Sequence, residues 1–287
     1  MSFLAGESIE MARAAASVRP LRSRYCYCNG NRKRSTIGCV SIRFVHRSIA
    51  LPTSPDRVPR RIHYCWLSDD PLPELNQRCV DSWHRVMPNY EIVRWDMKRA
   101  AAFDARFVRE ALSVRAWAFA TDYIRLQALA LEGGIYLDTD VEVFRPFDRF
   151  LGNRAFSAIE HWPEIKLITI DGAMLGAELG HPWIKACVAR YDARPFLRPD
   201  GTKDQTIISG ILAEVAAEGF GFRYEVAEQH LIDDIHLYKP IVLTHRTGPF
   251  SKEETHAFHY CVGGWRPPKP LWKRIVRRLI PQKNGPV

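Results

Sequence analysis

The sequence predicts an α/β protein with a mostly parallel sheet covered by helices on both faces. Short β-rich runs alternate along the chain with longer stretches at helical spacing, which is the pattern of a sheet connected through helices. A chain of 287 residues, 46% of them hydrophobic, can bury one substantial core, so a single domain with trailing ends is expected.

Residues 1–56 hold nine Arg and Lys against three acids, show no sustained periodicity and end in Leu51-Pro52-Thr53-Ser54-Pro55. They read as a basic, disordered leader, with the composition of an organellar targeting peptide or of a start placed upstream of the domain. The ordered domain is expected over 57–266. Arg61 to Leu67 is a β-rich run, Pro73 to Val86 spaces Leu75, Cys79, Val80 and Trp83 as a helix does, and Tyr90 to Trp95 alternates as a strand. A long helical stretch from Arg115 to Glu132 follows, stopped by Gly133-Gly134, with Ile135-Tyr136-Leu137 as the next strand. Strand-like runs near 155–160 and 165–170, helices near 181–192 and 203–218, and short strands beyond 222 complete the series.

The formal charge of +9 would suit a nucleic-acid or anionic-membrane binder, and its distribution decides the matter. Residues 266–287 hold seven Arg and Lys and no acid, so the two ends carry the surplus and the middle is faintly acidic. No aromatic-interleaved basic stripe runs through that middle, and no nucleic-acid partner is expected. Seven cysteines contain no C-x-x-C pair, and Cys65 and Cys261 lie among apolar neighbours, so reduced structural thiols are expected. No apolar run reaches the roughly 18 to 20 residues that cross a bilayer, and a soluble, cytoplasmic chain is expected.

The chemistry concentrates at Asp138-Thr139-Asp140, at the end of an apolar strand. A two-residue period would put both carboxylates, and Glu142 after them, on one face, and strand ends of open α/β sheets are where ligands bind. Two hard oxygen donors suit Mg2+ or Mn2+. Eleven helical residues from Asp122 to Gly133 advance ~16 Å, and a strand from Gly134 to Asp138 returns ~13 to 17 Å, which brings Asp138 back beside Asp122. Asp122 and Arg125 share a helix face, while Phe119, Tyr123, Leu126, Leu129 and Ala130 cover the core side. Such a set can grip a diphosphate through a cation and fix the hydroxyls of an adjoining sugar. Taken alone, D-x-D also occurs in solvated turns, and Asp122 with Arg125 can be an ordinary surface ion pair. A phosphohydrolase of the haloacid-dehalogenase kind continues D-x-D with Gly-Thr, where this chain has Val141-Glu142, and Gly133-Gly134 lies too close to the acids for the usual nucleotidyltransferase loop. Both remain alternatives, as does a membrane-bound binding protein with an inert D-x-D.

Ile62-His63-Tyr64-Cys65-Trp66, Pro71-Leu72-Pro73, Ser82-Trp83, Ala120-Thr121-Asp122-Tyr123-Ile124-Arg125 and Gly133-Gly134-Ile135-Tyr136-Leu137-Asp138-Thr139-Asp140 together resemble the DXD-motif sugar transferases of bacterial capsular polysaccharide synthesis. Those enzymes are similar to fungal outer-chain mannosyltransferases and to glucosylating toxins. The resemblance spans roughly Pro59 to Trp265. It implies a type A glycosyltransferase fold with a Rossmann-like sheet, a nucleotide-sugar donor (UDP- or GDP-sugar), Mn2+ or Mg2+, and transfer of a hexose with retention to a glycan or lipid-linked acceptor in polysaccharide biosynthesis. Carried over by position, Trp66 would stack on the donor base beside Cys65, Asp122 and Arg125 would hold the donor sugar as catalytic residues, Asp138 would reach ribose or metal, and Asp140 would bind metal. His259-Tyr260 and Gly264-Trp265 resemble the closing His-His and Ser-Trp elements, with His259 as third metal ligand and Trp265 as a lid over the donor. Tyr260 and Gly264 depart from that pattern, and Gly264 removes a hydroxyl contact. No carboxylate stands out as a nucleophile, so a front-face route is expected.

In residues 267–287 the segment Leu271 to Ile280 sorts apolar positions and the basic residues Lys273, Arg274, Arg277 and Arg278 onto two helix faces. A basic amphipathic tail of this kind fits peripheral contact with the inner face of a membrane, or docking onto the protein's own core.

Overall fold

A computed structural model describes residues 56–263; residues 1–55 of the predicted leader, the predicted tail, Gly264 and Trp265 lie outside the described residues. The elements run β1 (Arg61–Cys65), α1 (Glu74–Val86), β2 (Glu91–Trp95), α2 (Met97–Ala100), α3 (Arg106–Ser113), α4 (Trp117–Glu132), β3 (Gly134–Leu137), β4 (Val141–Val143), β5 (Ala155–Trp162), β6 (Leu167–Ile170) and β7 (Met174–Ala177). They continue through α5 (Pro182–Asp192), α6 (Ile208–Gly219), β8 (Gln229–Leu231), β9 (Ile235–Tyr238), β10 (Leu243–His245) and β11 (Ala257–His259).

The α/β architecture with flanking helices stands as expected. The large sheet has the order β2-β1-β3-β7-β5-β9-β8, with β6 paired to β5. β2, β1 and β3 run parallel, as do β5 and β9, while β7 lies antiparallel between β3 and β5. The sheet is therefore mixed and not mostly parallel: the short β5–β6 and β8–β9 connections allow only antiparallel pairing, and β7 also runs antiparallel to both its neighbours. A smaller sheet of order β10-β11-β4 completes the described residues.

Side chains alternate across the large sheet. Tyr136, Leu175, Ala177 and Ile159 join α3, α4, α5 and α6 in one core, and Ile135, Leu137, Met174, Phe156 and Ala158 join α1, β4 and the smaller sheet in another. Wholly buried rings such as Trp83 and Phe156 each contribute roughly 1.5–3 kcal/mol. The helix α4 is buried nearly all round: Asp122 and Arg125 are 7% and 4% exposed, which does not fit the alternative of an ordinary surface ion pair, and Ala130 is only half-buried. No helix among the described residues is long and apolar enough to cross a membrane.

The turn from α4 into β3 fixes the distance between Asp122 and Asp138. Gly133 and Gly134 have φ of 62° and 107°, and a Cβ on Gly134 would stand 2.6 Å from the Arg61 carbonyl oxygen. Only glycine meets both conditions. Buried His63 braces the same turn: the Trp95 indole N–H donates to its Nδ1 at 3.1 Å, so its Nε2 carries the proton and donates to the Gly133 carbonyl at 2.7 Å. Burial lowers the His63 pKa, which keeps it neutral.

Candidate active site

Because β1 and β3 are parallel, the residues that leave their C-terminal ends, Trp66 and Asp138, share one edge of the sheet. Asp138-Thr139-Asp140 forms a turn between β3 and β4, closed by the Val141 N–H donating to the Asp138 carbonyl at 3.0 Å. This corrects the expected strand periodicity: a turn, rather than alternation, brings the carboxylates together. Glu142 does not continue their face. It accepts from the Tyr260 hydroxyl at 2.6 Å and lies 3.9 Å from Arg78.

The turn is fastened from α1. Asn76 Nδ2 donates to Thr139 Oγ1 at 2.8 Å, the Trp83 indole N–H to the Val141 carbonyl at 2.7 Å, and the Val143 N–H to Ser82 Oγ at 2.9 Å. Ser82 and Trp83 thus support the acidic turn from the side of the second core.

Behind the turn stands Arg125. Its Nη2 donates to Asp122 Oδ1 at 2.9 Å, its Nη1 donates to the Gly172 carbonyl at 2.7 Å, and Nη1 lies 3.3 Å from Asp138 Oδ1. Tyr136 closes the set, its ring under the guanidinium at 4.5 Å and its hydroxyl donating to Asp138 Oδ1 at 2.9 Å. The expected return of Asp138 to Asp122 is therefore present, with one guanidinium joining them. Burial pushes the Asp122 carboxyl up to about 7 against the pull of Arg125. Burial works to lower the Arg125 pKa, and Asp138, Tyr136 and Asp122 outweigh it, so the guanidinium stays charged.

The C-terminal strand supplies the last member. β11 runs antiparallel to β4 with His259 opposite Val141, and the Tyr260 N–H donates to the Asp140 carbonyl at 3.0 Å. His259 Nε2 consequently lies 3.3 Å from Asp140 Oδ1, while the Val262 N–H donates to Asp140 Oδ2 at 2.8 Å. Burial raises the Asp140 pKa, and His259 and the Val262 N–H overcome it and hold the carboxyl at about 2. His259 is raised well above its ordinary value, Asp140 and Cys261 prevailing over burial. Asp138, Asp140 and His259 each offer a ligand atom within 4.8 Å of the others. Two carboxylates and an imidazole at that spacing fit a divalent cation.

The other predicted site residues are placed less centrally. Cys65 is buried among Tyr136, Arg125 and the acids, and burial pushes its thiol up to about 12. Trp66 is half-buried and donates its indole N–H to the Asp70 carbonyl at 2.7 Å. Cys261 departs from its expected apolar setting, with Sγ 3.4 Å from His259 Nδ1. The described cysteines are free thiols.

Sequence reasoning missed Glu160, Asp171 and His245. Asp171 follows β6 and is 3% exposed; burial and the neighbouring Glu160 charge push it up to about 7, with His259 and Asp138 also within electrostatic reach. His245 pairs in register with His259, and its ring stacks on Trp162 at 4.3 Å. An acid directly after a strand was the available signal for Asp171, as it was for Asp138. A separate open groove of about 420 Å³ lies between β6 and α6 and includes Thr169, whose hydroxyl donates to Glu160.

Fold and site together define an α/β protein with a carboxylate centre at its strand ends whose donor spacing suits a divalent cation. Residues 73–157, under a third of the chain, match the family model of the glycosyltransferase sugar-binding region containing a DXD motif. That stretch includes Asp122, Arg125, Asp138 and Asp140 and excludes Cys65, Trp66 and His259. The chain is similar to the Subversion of eukaryotic traffic protein A of Legionella pneumophila, at 27% identity over 32% of this chain, and the match spans only 18% of that protein's length. Solved structures with partial similarity include the PaToxG glycosyltransferase (15% identity, TM-score 0.46, 57% of this chain and 71% of that one). A second is a glycosyltransferase involved in glycosylation of the major capsid of PBCV-1 (10% identity, TM-score 0.41, 70% and 93%). A third is the galactosyltransferase LgtC with donor and acceptor sugar analogs (15% identity, TM-score 0.40, 70% and 87%).

Proposed function

We propose that the chain is a metal-dependent glycosyltransferase that moves a sugar from a nucleotide-sugar donor to a glycan or lipid-linked acceptor. The observation that carries this reading is the convergence of Asp138, Asp140 and His259 within 4.8 Å, backed by Arg125 and Asp122. A divalent cation held by the trio, Mn2+ or Mg2+, would neutralise the diphosphate charge of the departing nucleotide.

The protein's own groups divide the remaining work. Arg125 positions Asp122 and Asp138, and its charge lies on the side where the donor sugar and diphosphate meet the acids. Asp122 fixes sugar hydroxyls, and Trp66 offers an aromatic face to the base at the same sheet edge. His259 must give up its proton to serve as a ligand, so cation binding strengthens as pH rises. Trp265 lies outside the described residues, and by its likeness to the closing Trp of the family it would cover the donor and keep water out. Retention by a front-face route remains the reading, with the departing diphosphate helping to deprotonate the acceptor hydroxyl. Polysaccharide biosynthesis at the inner membrane face is the setting that the resemblance suggests.

A panel of UDP- and GDP-sugars with Mn2+ or Mg2+ tests this. Transfer or donor hydrolysis should appear with at least one donor, and Asp138→Asn or Asp140→Asn should each lower it by at least about a hundredfold without loss of the folded circular-dichroism signal. Activity only on simple phosphate monoesters would turn the assignment to a phosphohydrolase. Near-normal transfer in both variants would sink the site.

A further inference from the structure

Glu228, His230 and His236 gather at the β8 edge of the large sheet as it stands among the described residues, away from the groups assigned to the donor. β8 is the terminal strand, and its partner β9 is antiparallel to it with His230 directly opposite His236. Opposite residues of an antiparallel pair project from the same face, and the two-residue period adds Glu228 to the His230 side. The two imidazole rings have centroids 3.8 Å apart, and His236 Nε2 lies 2.8 Å from Glu228 Oε1. Each of the three residues offers a ligand atom within 4.8 Å of the others. Tyr238, two residues along, stacks on His236 at 3.7 Å and holds the ring's orientation.

We propose that Glu228, His230 and His236 form a second cation site that takes a borderline divalent ion, Zn2+ foremost, and fastens β8 to β9. Two imidazoles and one carboxylate are the donors that Zn2+ favours over the all-oxygen sets of Mg2+, and a water completes four-coordination at the exposed side. The tie has a mechanical object. β8 is three residues long, and the turn that joins it to β9 contains Asp233 and Asp234 with φ of 61° and 58°, a left-handed conformation disfavoured for residues other than glycine. An ion spanning the pair would hold this turn closed.

The test is Zn2+ titration of the full chain by calorimetry after chelator treatment, comparing wild type with His230→Ala and Glu228→Gln. Both substituted positions are exposed, so the core is untouched. Each variant should lose one bound equivalent and the accompanying rise in melting temperature, and the loss should add to that of Asp140→Asn in a combined variant. Retention of that equivalent in either variant, or losses that do not add, would overturn the proposal. Sugar transfer does not enter the measurement, so this result and that for the donor site fail independently.

Discussion

Arg125 is charged at a position only 4% exposed, and it stays there because two carboxylates and a carbonyl oxygen surround it. Two buried acids near the acidic turn, Asp140 and Asp171, show opposite net shifts under burial. Asp140, paired with His259, is held at about 2 and contributes stability that is present above its unfolded value near 4 and lost as pH falls from there. Asp171 is pushed up to about 7, so the folded protein binds the extra proton and stability declines as pH rises from about 4 to 7. Asp171→Asn keeps an oxygen to accept the Ala173 N–H and removes the charge. In chelator the variant should melt higher than wild type at pH 7.5, by a margin on the order of a few kcal/mol, and the margin should vanish towards pH 4. A pH-independent difference would show that ionisation of Asp171 is not its source.

At the scale of elements, the turn between α4 and β3 sets the site. Gly134→Ala forces a Cβ against the Arg61 carbonyl and a disfavoured φ, and should cost at least about 2 kcal/mol in urea unfolding. Gly210→Ala inside α6 meets open space and should stabilise by roughly 0.5–1 kcal/mol. Equal effects of the two would mean that backbone geometry is not what Gly134 supplies. This turn was legible in the sequence because Gly-Gly punctuates a strong helical period, and the same logic located Asp122 against Asp138. β4 and β7 were not legible: VEV and MLGA are too short to carry a period, and β7 owes its place to pairing with both β3 and β5. The antiparallel strand between β3 and β5 escaped for that reason. Glu160 and Asp171 escaped with it, since only the β5–β6 hairpin brings them back towards the acidic turn. Burial of Arg125 was hidden too, because an Asp and an Arg three apart read equally well as an exposed pair.

Across the whole molecule, positive charge is concentrated in the ends while the described domain carries the acids of the site. Residues 267–287 contain six Lys and Arg, and anionic lipid adds about 1 kcal/mol for each basic residue held near the surface. Deleting them should weaken binding to phosphatidylserine vesicles by at least about a hundredfold at low salt. Unchanged sedimentation with vesicles would exclude a membrane role for the tail. Within the domain, the candidate trio draws on distant parts of the chain: Asp138 and Asp140 leave β3, and His259 arrives on β11. A polypeptide emerging from the ribosome therefore possesses its acidic motif long before it can enclose a cation with an imidazole. Under the proposed function, fragments that stop short of β11 should be chemically silent towards nucleotide sugars.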